Sequence, residues 1–156
     1  MKMKTFDQCP TCNPPREQWG EGPWQQEPDR VEFMYDGFDC LLHRNWTGVW
    51  CGYVGVKPGH PMHGKPYGDL NLDAHGGLTY SDGCHGCICH ESAGGDKLWW
   101  LGFDCGHGGD LVPAMGRALD CMTYRDMDYA IAQVKGLAVQ LRWYVIGAGC
   151  KEGADV

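Results

Sequence analysis

A chain of 156 residues is long enough to bury a core in one domain, so its fold requires neither disulfides nor a metal ion. The formal net charge of −7 argues against general nucleic-acid binding, because phosphate backbones are held by basic surfaces. The start, MKMKTFDQCP, lacks the apolar stretch of a secretion signal, and no run approaches the ~18 apolar residues of a membrane span. We therefore expect a cytoplasmic protein that does not engage membranes.

Residues 1–30 are rich in proline, glutamine and charge, and they keep neither helical nor strand periodicity for long. This composition predicts an irregular lead-in. A single folded domain is expected over residues 31–150.

The next part of the chain, residues 31–104, has the alternation and turn residues of β-structure. Asn45-Trp46-Thr47-Gly48 has the composition of a hairpin turn. A cysteine-rich excursion over residues 82–97 separates the last two strands. The predicted strands are VEFMYD (31–36), DCLLHRN (39–45), VWCGYVGV (49–56), AHGGLTYS (74–81) and LWWLGFD (98–104).

Residues 123–142 have the apolar spacing of an amphipathic helix, with Thr123 as the expected N-cap and Asp126 in the first turn. The helix would cover one face of the sheet. The predicted fold class is α+β: an antiparallel sheet with one C-terminal amphipathic helix packed on one face.

Strand alternation predicts a binding surface. Trp100, Gly102 and Asp104 share one strand face, which places an aromatic wall and a carboxylate beside a gap without a side chain. The competing interpretation is that Trp100 packs beneath the lead-in. With the neighbouring strands and loops added, the predicted ligand-binding residues are His75, Gly76, Gly77, Thr79, Trp100, Gly102, Asp104, His107, Tyr53 and Arg125.

Two features of this surface favour an anionic ligand. The loop Gly106-His107-Gly108-Gly109 lacks the lysine of a phosphate-binding P-loop, but its backbone N–H groups form a generic anion nest. Arg125, at the start of the predicted helix, adds positive charge where the helix dipole also favours anions.

Several stretches resemble a family of small bacteriophage and prophage proteins without an established activity. They are CGYVGVKPGHP (51–61), HGGLTY (75–80), ICH (88–90), WWLGFDCGHGGD (99–110) and TYRDMDYA (123–130). The likeness covers roughly residues 40–142. Members of that family often have alanine where Gly106 stands, and the CPTC segment at residues 9–12 is a departure from them. The resemblance implies a phage setting and little chemistry.

The cysteines predict a structural zinc site. Ten cysteines without an export signal are expected to be mostly reduced, so short-spaced pairs indicate metal ligands before disulfides. Cys9, Cys12, Cys84 and Cys87 would form a four-cysteine site that tethers the lead-in to the excursion. Cys89, His85 and His90 are alternative ligands from the excursion itself. Free thiols or an oxidised pair remain the competing interpretation.

A catalytic metal is a further possibility. His75, Asp104, His107 and Asp110 provide the imidazoles and carboxylates that metal-dependent hydrolases use, although their spacing matches no known signature.

Three functions therefore compete. The first is capture of a small anionic ligand, for which the phage resemblance favours a nucleotide-derived immune signal of the host, with the base stacked on Trp100 or Tyr53. The second is metal-dependent hydrolysis of a similar substrate. The third is inhibition of a host enzyme through exposed Trp19, Trp24 and Trp46. We favour the first, and a homodimer is the expected assembly, because an exposed sheet edge needs covering.

Overall fold

The computed structural model describes residues 2–7, 15–90, 97–116 and 121–154, with side chains described as far as Val145. These residues form six β-strands, four single-turn 3₁₀ helices and one α-helix. The strands are β1 (Met3–Phe6), β2 (Arg30–Tyr35), β3 (Phe38–Arg44), β4 (Trp50–Val56), β5 (Tyr80–Asp82) and β6 (Trp99–Asp104). The α-helix is α1 (Met127–Ala154), and the 3₁₀ turns are Arg16–Gln18, Pro23–Gln26, Tyr67–Asp69 and Pro113–Met115.

All six strands belong to one antiparallel sheet in the order β1-β2-β3-β4-β6-β5. The predicted α+β class is therefore confirmed. The hairpin between β3 and β4 is closed at the expected turn, where the Gly48 N–H donates to the Asn45 carbonyl over 3.0 Å. Gly48 has a φ of +87°, a conformation that glycine adopts without steric cost.

The helix lies on one face of the sheet, as predicted. At the contact, a Cβ on Gly52 of β4 would lie 2.6 Å from Val134 Cγ2 and 2.5 Å from Phe103 Cζ. The missing side chain lets α1 approach the strand backbone closely. The fully buried helix residues are Ala130, Val134, Leu137, Ala138 and Leu141, at three- and four-residue steps.

The opposite face of the sheet is covered by the segment 82–90, which we call the cysteine hairpin. Its tip pairs His85 with Ile88, and the Cys89 carbonyl accepts a hydrogen bond of 2.7 Å from Arg30 Nη2 on β2. The His90 ring lies 5.3 Å from the Trp100 ring, centroid to centroid. Trp100 is fully buried, so the prediction that it forms an open wall is wrong.

The prediction of an irregular lead-in is wrong for one short stretch of it. Met3–Phe6 form the edge strand β1. Trp19 and Trp24 are 3% and 2% exposed, so the prediction that they form an interaction surface fails, whereas Trp46 is 66% exposed. Local hydrogen bonds such as Trp24 Nε1 to the Gly20 carbonyl, at 3.0 Å, order a segment that has no regular periodicity.

A buried ion network joins this lead-in to the helix. Arg44 is fully buried, and its Nε and Nη2 each donate over 3.0 Å, to Asp29 Oδ1 and to Glu27 Oε1. Tyr124 donates to the same Glu27 oxygen, while Glu27 Oε2 accepts from the Met127 N–H over 2.6 Å. Glu27 therefore satisfies a free N–H at the start of α1, where a negative charge is favourable. We call Arg44, Glu27, Asp29 and Tyr124 the Arg44 network.

The predicted strand over residues 74–81 is mostly a turn. Gly76 and Gly77 have φ values of +69° and +85°, which are incompatible with strand geometry, and only Tyr80–Asp82 pairs with β6. The four other predicted strands are confirmed as β2, β3, β4 and β6.

The predicted helix begins later and ends later than expected. Asp126 acts as the cap instead of Thr123, because its Oδ1 accepts from the Tyr129 N–H over 2.8 Å. The helix then continues to Ala154, beyond the predicted end at residue 142. Thr123 instead pairs with the loop after β6, donating its N–H to the Gly109 carbonyl over 2.8 Å.

Candidate functional site

Three segments that are distant in sequence meet at the end of β6. They are the glycine turn at residues 74–79, the loop at residues 105–110, and the chain that leads into α1. We call the residues they bring together, His75, His107, Asp110, Arg125 and Tyr129, the Asp110 cluster.

Asp110 is the centre of this cluster and is 3% exposed. Its Oδ2 accepts from His75 Nε2 over 2.6 Å and from the His107 N–H over 3.0 Å, and its Oδ1 accepts from Arg125 Nε over 2.9 Å. Burial raises the pKa of the Asp110 carboxyl, but the hydrogen bonds from His75, Arg125 and the His107 backbone outweigh burial and leave that pKa below its ordinary value. Asp110 is therefore an ionised, fully engaged acceptor.

His75 is fixed in one orientation by two partners. Its Nε2 donates to Asp110, because an ionised carboxylate only accepts hydrogen bonds. Its Nδ1 lies 2.7 Å from the Tyr129 hydroxyl oxygen, within hydrogen-bond distance. Both ring nitrogens are thus occupied, and His75 acts as a rigid support for its neighbours.

Asp104 and His107 form the outer part of the site. Asp104 Oδ2 accepts from the Thr79 hydroxyl and its Oδ1 from the Gly106 N–H, both over 3.0 Å. His107 Nε2 lies 3.4 Å from Asp104 Oδ1 without hydrogen-bond geometry to it or to any other described residue. The His107 side chain as a whole is 33% exposed, although its Nε2 atom is buried.

Gly76 makes the position of His107 possible. A Cβ on Gly76 would lie 2.2 Å from His107 Cδ2, well inside van der Waals contact. The His75 and His107 rings approach edge to face at 5.8 Å between centroids. The absence of a side chain at residue 76 therefore places one imidazole next to the other.

Arg125 carries the positive charge of the site. Its guanidinium is held by Asp110 through Nε and lies 4.8 Å from the centroid of the Tyr129 ring. The hydrogen bond to Asp110 raises the pKa of Arg125 above its ordinary value, so the group stays charged. Its side chain is 31% exposed, and the structure gives its two Nη atoms no hydrogen-bond partner among the described residues. The neighbouring Gly108 and Gly109 are exposed.

The structure divides the predicted binding residues into two groups. His75, Gly76, Thr79, Asp104, His107 and Arg125 are brought together, by loops and turns instead of by strand alternation. Gly77 is exposed nearby, with open space around it.

The remaining predicted residues belong to the core. Trp100 is fully buried, and Tyr53 is 6% exposed. A Cβ on Gly102 would lie 2.3 Å from Tyr53 Cδ1, so this glycine accommodates the Tyr53 ring and leaves no gap for a ligand. The prediction of one continuous binding surface along β4 and β6 is therefore wrong.

Tyr129 is the residue of this site that sequence reasoning missed. It lies four residues after Arg125, a spacing that would place the two side chains on one face of the helix predicted over residues 123–142. Tyr129 could therefore have been predicted as a neighbour of Arg125 from the sequence. Asp110 was singled out only as a possible metal ligand, because nothing in the sequence shows that it becomes buried.

The four proposed ligands of a catalytic metal do lie together, since His75 contacts Asp110 and His107 approaches Asp104. However, both nitrogens of His75 and both oxygens of Asp110 already have protein partners. Among the residues that the structure describes, no three histidine, cysteine or acidic side chains are grouped to hold a metal ion.

The structural zinc stays a prediction. Cys9 and Cys12 lie outside the described residues. Cys84 is paired in a disulfide with Cys89, while Cys87 is a free thiol. A zinc site that uses Cys84 would therefore require this disulfide to be reduced first.

Comparisons with protein families, with curated proteins and with solved structures gave no match for this chain. Within the described part of the chain, no helix is both long enough and apolar enough to cross a membrane.

Proposed function

We propose that this protein binds a small anionic ligand of the nucleotide type at the Asp110 cluster, and that it sequesters the ligand without turning it over. The observation that carries the proposal is the state of Arg125. Its guanidinium is held in place by a buried carboxylate through Nε, while its Nη atoms have no hydrogen-bond partner among the described residues. A fixed and charged guanidinium is well suited to bind a phosphate group through two parallel hydrogen bonds.

The surroundings of Arg125 support an anion. The exposed backbone at Gly108 and Gly109 adds N–H donors, which have no hydrogen-bond acceptor among the described residues. His107 lies beside them with its side chain one third exposed. Because the whole chain carries a net charge of −7, this local positive group would select a small anion over a long nucleic acid.

A nucleotide, as opposed to simple phosphate, is favoured by the partly exposed His107 side chain. Imidazole rings stack on nucleobases, and such a contact adds affinity that phosphate lacks. The originally expected stacking partners, Trp100 and Tyr53, are buried and cannot serve. The phage resemblance suggests that the nucleotide is a host immune signal.

Calorimetric titration with AMP, cyclic AMP and inorganic phosphate tests the proposal. We expect AMP to bind most tightly and Arg125→Gln to weaken its binding at least about tenfold, since a charged hydrogen-bond pair is lost. Arg142→Gln is the matched control, because Arg142 is exposed and approaches Asp36 at 3.4 Å, away from the cluster. Equal AMP affinity in wild type and Arg125→Gln, or binding of none of the three compounds, would contradict the proposal.

Metal-dependent hydrolysis is the second candidate, favoured by the proximity of His75, Asp104, His107 and Asp110. Incubation of the protein with AMP, cyclic AMP and Mn²⁺ or Zn²⁺, followed by chromatography, distinguishes the two. Sequestration predicts unchanged nucleotide. Turnover that disappears in Asp104→Asn would establish hydrolysis instead.

A further inference from the structure

A second polar site lies away from the Asp110 cluster, at the other end of the sheet. A cavity of about 470 Å³ opens beside β1, β2 and the end of the cysteine hairpin. This volume falls within the ~300–1,000 Å³ range of small-molecule sites. Its lining shares no residue with the Asp110 cluster.

Two buried polar side chains that line this cavity each have one atom without a hydrogen bond among the described residues. The Asp39 residue is 2% exposed and the His90 side chain 8% exposed. Neither Asp39 Oδ1 nor His90 Nε2 has a hydrogen bond to any described residue, and the two atoms are 3.8 Å apart. A buried carboxylate without a donor is costly, because it has lost its water and gained nothing in exchange.

Among the described residues, the charged side chains around the cavity donate no hydrogen bond to Asp39 Oδ1. Glu32 is engaged by Arg30 Nε over 2.8 Å. The ammonium of Lys4 lies 5.3 Å from the centre of the Phe6 ring. Asp39 therefore leaves a negative group at the buried side of the cavity, while Lys2 and Lys4 place positive charge in the same lining.

The lining between these charges includes the apolar side chain of Met34, which pairs with Asp39 across β2 and β3 and so lies on the same face of the sheet. An occupant should thus have three parts: a cationic donor for Asp39, an apolar body, and an acid group for the lysines. A metal ion would use only the first of these features, and a plain anion would be repelled by Asp39.

We propose that this cavity binds a free α-amino acid with an apolar side chain. The ammonium group would donate to Asp39 Oδ1, and the carboxylate would face Lys2 and Lys4. The aliphatic side chain would lie against Met34. A charged hydrogen bond in a site with little water is the strongest single contact of this arrangement.

The test is calorimetric titration of L-leucine into the full chain, with N-acetyl-L-leucine as the compound that lacks the ammonium group. We expect saturable binding of L-leucine and none of the acetylated compound at the same concentrations. Asp39→Asn should weaken L-leucine binding at least about tenfold, because the charged partner is lost. Asp36→Asn, in the exposed turn before β3, should leave it unchanged.

Absence of L-leucine binding at millimolar concentrations would overturn the proposal, as would equal affinity in wild type and Asp39→Asn. Equal binding of the two compounds to wild type would also overturn it. This last comparison uses only the natural sequence, so the proposal remains falsifiable if Asp39→Asn does not fold.

Discussion

Two arginine clusters lie on either side of the start of α1, and they differ in how completely their hydrogen-bonding groups are used. In the Arg44 network, Nε, Nη1 and Nη2 all donate to protein acceptors, and the guanidinium lies 4.1 Å from the centre of the Trp50 ring. In the Asp110 cluster, Arg125 donates through Nε alone as far as the described residues show, and its side chain is 31% exposed. The first arrangement holds the fold together, while the second leaves donors for a ligand.

The largest expected effect on stability comes from disrupting the Arg44 network. Arg44→Met should lower the free energy of unfolding by about 3–5 kcal/mol, because Glu27 and Asp29 would lose the buried positive charge that they share. Urea denaturation measures this change. Arg125→Gln should shift the denaturation midpoint far less, since Asp110 keeps the donors of His75 and His107. Equal losses of unfolding free energy in the two variants would contradict the claim that Arg44 stabilises the fold more than Arg125 does.

Two glycine substitutions at neighbouring positions test whether the placement of His107 in the Asp110 cluster matters for AMP binding. Gly76→Ala and Gly77→Ala both impose a left-handed backbone on alanine, at a cost of about 1–3 kcal/mol each. Only residue 76 contacts His107, however, because a Cβ at residue 77 meets open space. We therefore expect AMP affinity to fall in Gly76→Ala and to stay near wild type in Gly77→Ala. Equal AMP affinities in the two variants would show that His107 does not contribute to AMP binding.

Acid pH should reduce the contribution of the Asp110 cluster to the free energy of unfolding over a defined pH range. The pKa of Asp110 lies below its ordinary value of 3.8 in the folded protein, so ionised Asp110 stabilises the fold above pH 3.8. That contribution is lost as the pH falls from 3.8 through the folded-state pKa. The stability difference between wild type and Asp110→Asn, measured by urea denaturation, should therefore shrink below pH 3.8. A difference that stays constant would show that the carboxylate charge contributes nothing there.

A smaller effect concerns His60, in the loop packed against the far end of the described helix face. Its Nδ1 accepts from the Met62 N–H and its Nε2 donates to the Leu141 carbonyl, so the neutral ring fits both partners. Burial lowers the pKa of His60 below 6.5, and the contribution of His60 to stability is present above pH 6.5 and lost as the pH falls through its folded-state pKa. Thermal melts of wild type and His60→Gln between pH 7.5 and 5 should converge on acidification, whereas parallel curves would contradict this assignment.

The fold was predictable where the sequence pattern reports burial directly. The apolar runs of β2, β3, β4 and β6 and the spacing in α1 are of this kind, because each element packs against the same core. β1 was not predictable, since Lys2 to Phe6 alternate too briefly and pair only at the sheet edge.

Part of the membership of the site was predictable, but its geometry was not. His75, Asp104, His107 and Arg125 are among the predicted ligand-binding residues, and they do lie together. The predicted arrangement failed because Gly76 and Gly77 turn the chain instead of extending β5. The buried hydrogen bonds of Arg44 connect residues up to 80 positions apart, which local patterns do not report.

The measurement that tests the central claim most directly is an NMR titration of the ¹⁵N-labelled protein with AMP, because it reports on both arginines at once. If AMP binds at the Asp110 cluster, the NMR signals of the Arg125 Nε–H and of the Gly108 and Gly109 amides shift, while that of the Arg44 Nε–H does not change. Shifts confined to other parts of the chain, or none at saturating AMP, would contradict the assignment of the Asp110 cluster as the ligand site.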